Sequence, residues 1–248
     1  MTDNVQTKED PESGEINATE QINYMREVLF VLTVQMTIYT FACGLNVMSK
    51  SYTYSMNSFV VLIGVGCVMV ACGFVLYTME EYRRKDIVKY VIFGLGTAAT
   101  ALFMSSLTAI FAWEFFCNLM IGGTIAVATC YIVSRNIEST KSREDVRTNM
   151  LKGLGFGLAA SLAVDGILLY MFGSKDIYTG MIISSLVFVL AGAYVIYAML
   201  YIIIPSLDED EADNEDIIYG VVQCYIVKLI VAWRVIKLCV EKCKGGSN

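Results

Sequence analysis

Charged residues vanish from this chain for long distances and then return in short bursts. Residues 28–49 carry none, and neither do residues 51–79, 90–113 and 115–134. A helix needs roughly 20 apolar residues to cross a hydrocarbon core about 30 Å thick, because each residue advances about 1.5 Å. These runs predict the first four spanning helices. Residues 153–174 predict a fifth, interrupted only by Asp165, and residues 177–207 a sixth that ends at Pro205. A last segment opens at residues 217–227, apolar apart from Gln223, before Lys228, Arg234 and Lys237 break the run. The predicted fold is all-α, a polytopic seven-transmembrane-helix bundle over residues 25–240 whose last helix is either a full span or re-entrant. A full span requires Lys228 and Arg234 to face a protein interior or to snorkel. Residues 1–24 read as a disordered acidic tail, and residues 241–248 as a short basic one.

The basic residues orient the bundle, because Lys and Arg gather on the cytosolic side of membrane proteins. Arg83, Arg84, Lys85 and Lys89 follow the second run, and Arg135, Lys141, Arg143, Arg147 and Lys152 follow the fourth. The connections after the first and fifth runs hold only Lys50 and Lys175, and that between the third and fourth has no basic residue. Alternation of this kind places the amino terminus in the cytosol, so Asn17-Ala18-Thr19, formally a glycosylation sequon, is expected to stay unmodified. Seven full spans put Lys242 and Lys244 outside, whereas a basic tail favours the cytosol. The side of the carboxyl end stays open.

Composition narrows the chemistry. Of 248 residues, 56% are hydrophobic and 17% charged, and there is no histidine. Without His there is no Ser-His or Cys-His nucleophile pair, no imidazole zinc site and no His-held haem, so neither an enzyme nor a cofactor is expected. A nucleic-acid partner is not expected either, since long stretches of the chain carry no charge at all. Cys43, Cys67, Cys72, Cys117, Cys130 and Cys224 lie inside apolar runs and read as small packing residues, while Cys239 and Cys243 lack metal spacing. The acids from Asp208 to Asp216 lack the turn-forming Gly and ligand spacing of a dedicated calcium loop. No metal site is expected.

One acid inside the apolar runs needs a partner. Asp165 lies near the middle of the fifth, where a lone charge costs about 3 kcal/mol on insertion scales. Gly153, Gly157 and Ser161 precede it at intervals of four, so all four residues share one helical stripe and small neighbours carry the acid into the bundle. Two readings stand side by side. Asp165 is an ion or proton site, or it is a packing feature that is protonated, bonded to a hydroxyl or paired with a base. Lys228 is the candidate base by sign and depth, and Asp165 and Lys228 are the candidates for an ion pathway. A single membrane Asp gives no aspartate pair for an intramembrane protease, and no internal repeat points to a transporter.

Several blocks look familiar in order and spacing: Arg26-Glu-Val-Leu-Phe-Val-Leu-Thr-Val-Gln35, Tyr82-Arg-Arg-Lys85, Tyr194-Val-Ile-Tyr197 followed by Pro205, and Asn214-Glu-Asp-Ile-Ile-Tyr-Gly-Val-Val-Gln-Cys-Tyr225. Over roughly residues 24–244 the chain resembles the transmembrane Bax-inhibitor motif family, nearest its Lifeguard branch. The resemblance implies a seven-helix bundle in the endoplasmic reticulum or Golgi membrane that modulates calcium leak and apoptosis sensitivity. Its implied partners are the lipid bilayer, calcium ions and other membrane proteins of cell-death or calcium pathways. In that family two aspartates govern the calcium pore, and here they match Ala198, after Tyr197, and Val227, before Lys228. Two close carboxylates share a proton and respond to pH, which Ala and Val cannot do. Either Asp165 takes over from another helix, or the chain keeps the fold and acts through partner binding without conducting.

Overall fold

The computed structural model describes residues 11–83, 85–110, 113–137, 143–171, 177–198 and 217–225. These are helical throughout, apart from short connections: α1 (Pro11–Met48), α2 (Lys50–Met56), α3 (Phe59–Thr78), α4 (Glu80–Arg83), α5 (Asp86–Ile110), α6 (Trp113–Arg135), α7 (Arg143–Met171) and α8 (Ile177–Ala198), with a further helical stretch at 217–225. Within them Ile22–Asn46, Phe59–Thr78, Ile87–Ile110, Asp145–Ile167 and Tyr178–Ala198 are long and apolar enough to cross a membrane, and Leu119–Arg135 of α6 is a shorter apolar piece. The chain is a helical integral membrane protein by this measure.

Three expectations need correction. The tail does not run unstructured to residue 24: α1 starts at Pro11, and Ile22 is already buried in the core. The run 51–79 is not one helix. Ser49 is extended (φ -134°, ψ 107°) and its hydroxyl accepts from the Tyr52 N–H at 3.3 Å, so it caps α2, while Asn57 ends α2 and α3 starts afresh after Ser58. Finally, α7 begins at Arg143, well before residue 153, and Asp165 lies only about 9 Å from its end at Met171, at ~1.5 Å per residue. Asp165 therefore lies near the end, and not the middle, of the candidate span Asp145–Ile167.

The contacts give the directions of the helices. Thr40 meets Thr124 across α1 and α6, with hydroxyl oxygens 2.7 Å apart, and Phe30 meets Tyr131, so the two run antiparallel. Gln35 to Thr97 and Asn46 to Ser105 make α1 and α5 parallel. A Cβ on Gly66 would lie 3.2 Å from Phe103, and one on Gly96 3.2 Å from Cys72, so α3 runs antiparallel to α5 at close quarters. Alternation brings Arg26, Lys85, Lys89, Arg135 and Lys152 to one end and leaves Lys50 at the other. Lys85 and Glu81, 3.2 Å apart and both exposed, form a surface pair that contributes little to stability.

The main core joins α1, α6, α7, α8 and the 217–225 stretch through Met25, Leu29, Ala126, Cys130, Met150, Phe188 and Val221, all of them buried. At the basic end Arg26 closes α6. Its Nε donates to the Ser134 carbonyl at 2.9 Å, which also accepts from the Ile137 N–H at 3.3 Å, and its Nη2 donates at 2.7 Å to the Ile137 carbonyl just past the helix end. On the outside, α3 buries only Cys72 and Leu76 and exposes Phe59, Val60, Ile63, Val70 and Phe74. Such a face is unfavourable in water and ordinary against lipid tails.

Candidate functional site

Asp165 occupies the junction of α6, α7 and α8. The stripe that carries it is closely packed: a Cβ on Gly153 would collide with Val133 of α6, and one on Gly157 would lie 2.5 Å from Thr129 Oγ1 of α6 and 2.9 Å from Phe188 of α8. Only glycine lets α7 approach so near. Beyond them Ser161 is 1% exposed and Asp165 0%. The Ser184 hydroxyl of α8 donates to Asp165 Oδ2, and the Ser161 hydroxyl donates to the same oxygen at 3.3 Å. Oδ1 is buried and has no hydrogen-bond partner among the described residues. The hydroxyl partners agree with the packing reading, and the idle oxygen goes beyond it.

Lys228 and Val227 lie outside the described residues, as does the acidic run 208–216. Ala198, at the end of α8, is 1% exposed. Its methyl group thus faces the protein interior. Among the described residues no cluster of three or more His, Cys, Asp or Glu side chains is placed to hold a metal.

A second polar group escaped notice in the sequence. Near the middle of the first span, the Gln35 amide donates to Thr97 Oγ1 at 2.7 Å, and Gln35 Oε1 accepts from the Tyr225 hydroxyl at 3.1 Å. The Tyr194 hydroxyl donates to the Cys224 carbonyl, tying α8 to the same stretch. A Cβ on Gly220 would lie 2.5 Å from the Tyr24 hydroxyl and 3.1 Å from Val28. Residues 217–225 thus run alongside α1 in the same direction and reach the depth of Gln35. The residues at 35, 194 and 225 each belong to one of the familiar blocks, so those blocks meet in space. The available signal was Gln35 itself, an amide in a charge-free run. At the opposite end Asn46 Nδ2 donates to the Ser105 carbonyl at 2.9 Å and to its hydroxyl at 3.0 Å, and Ser105 Oγ donates to the Tyr52 hydroxyl at 3.0 Å.

No protein-family model, curated protein or solved structure matches the chain. Its site must be read from its own geometry. The Gln35 junction is neutral and suits fixing three segments in register, since hydroxyl and amide bonds across helices hold them in a medium that offers no competing water. The Asp165 site carries the buried acid. Of the two, it alone holds a carboxyl group with an unpartnered oxygen among the described residues.

Proposed function

We propose that the chain is a non-enzymatic, multi-pass protein of the Bax-inhibitor motif type, nearest the Lifeguard branch. In this reading it crosses the endoplasmic reticulum or Golgi membrane seven times with its amino terminus in the cytosol, and it modulates calcium leak and sensitivity to cell death. One observation carries the reading: Gln35, Tyr194 and the Cys224-Tyr225 step come from three separate blocks of the resemblance and are joined by hydrogen bonds. The blocks that carry the resemblance are thus neighbours in the fold, which supports reading them together.

The buried Ala198 favours a second form of this reading, in which the fold is kept and the protein regulates membrane partners without conducting. Calcium flux through purified protein in liposomes separates the two. Flux that falls when Asp165→Asn is introduced supports a pore rebuilt around another helix. No flux in either chain supports the regulator. Removal of the chain from cells that leaves store calcium and survival unchanged overturns both.

A further inference from the structure

We propose that Asp165, Ser161 and Ser184 bind a single sodium ion between α7 and α8. The three side chains are buried, and both hydroxyls donate to Asp165 Oδ2 while Oδ1 is left without a hydrogen-bond partner among the described residues. Neither protonation state completes the site with these groups. An ionised carboxylate leaves a full negative charge among apolar neighbours, with one oxygen idle. A protonated one leaves either an O–H on Oδ1 with nothing to accept it or, with the proton shared between Oδ2 and a serine oxygen, a carbonyl Oδ1 still without a partner among the described residues. A monovalent cation on Oδ1 resolves both at once. It balances the single charge, and the serine oxygens keep lone pairs for it while their hydrogens stay on Oδ2.

The donor set also selects among cations. It consists of oxygens, which suit hard ions. Calcium takes about 6–8 oxygen ligands and brings two charges, more than one carboxylate neutralises. The space is small: a Cβ on Gly122 of α6 would lie 3.3 Å from both the Ser184 carbonyl oxygen and its Oγ, so the α6 backbone closes the third side. Packing this close favours the smaller of the common monovalent cations, which is sodium. The site does not rest on the calcium reading, because sodium binding and calcium flux are measured separately and either can fail alone.

The test uses the full chain purified in detergent. Radioactive sodium binding and thermal unfolding are followed in sodium, potassium or choline chloride at equal ionic strength and fixed pH. Saturable sodium binding and a higher unfolding temperature in sodium alone are expected. Asp165→Asn abolishes both, and Ser184→Ala weakens sodium affinity about tenfold or more, as loss of an interaction of about 1.4 kcal/mol requires. Gly155→Ala, where a Cβ meets nothing within 4 Å, keeps the native response. If Asp165→Asn does not fold, Ser184→Ala and Ser161→Ala decide the matter. Equal stability and no saturable binding in the three salts overturn the proposal, as does sodium binding that survives these substitutions. Stability that follows pH but not sodium replaces the ion with a proton and overturns it too.

Discussion

Gly155 and Gly157 lie two residues apart on α7 and face opposite surroundings, so the same added methyl group should act in opposite directions. A Cβ at 157 would fall 2.5 Å from Thr129 Oγ1 and 2.9 Å from both Phe188 Cζ and Thr129 Cγ2. Neither neighbour can easily give way. Phe188 is fully packed in the core, and the Thr129 hydroxyl is held by the Ile125 carbonyl at 2.7 Å. Overpacking of this kind costs about 1–3 kcal/mol. Replacing glycine by alanine within a helix returns about 0.5–1 kcal/mol, and it does so at both sites. The difference between Gly155→Ala and Gly157→Ala therefore isolates the steric part, about 1–3 kcal/mol, with the 155 variant at least as stable as the native chain. Unfolding by SDS titration in mixed micelles, followed by circular dichroism, measures it. Two variants of equal stability within ~0.5 kcal/mol would refute the close approach of α7 to α6 and α8.

Arg26→Gln removes the guanidinium from the Ser134 and Ile137 carbonyls and should cost about 1.5–3 kcal/mol in the same titration, since bonds from charged donors exceed neutral ones. Tyr225→Phe leaves Gln35 Oε1 without that donor, for a loss of about 0.6–1.7 kcal/mol. Combined with Gln35→Leu, it should cost less than the sum of the two single changes; strict additivity would mean that the bond contributes nothing. For orientation, Lys85→Cys in sealed microsomes should react with an impermeant maleimide added outside, on the cytosolic face, and Lys50→Cys only after the vesicles are opened. The opposite result, or a glycan on Asn17, reverses the proposed topology.

Charge-free runs made most of the helices legible, because lipid demands length and tolerates few charges. They were blind to the break between α2 and α3, where Asn57 and Ser58 interrupt the helix with polar atoms but no charge. The small stripe before Asp165 was legible from its spacing of four. Its partner Ser184 was not, being one of many hydroxyls in another apolar run and 19 residues away. Spacing speaks for one helix face and says nothing of which residue across the bundle will meet it. Gln35 and Tyr225 show the same limit at a separation of 190 residues.

That separation also sets an order of events during synthesis. At about 5–20 residues per second, roughly 10–40 s pass between the making of Gln35 and of Tyr225. Through that interval the opening helix sits in the bilayer with its amide oxygen still awaiting its tyrosine. A chain stopped short of Tyr225 would present an unfinished seam along its first helix, a feature for membrane quality control to read.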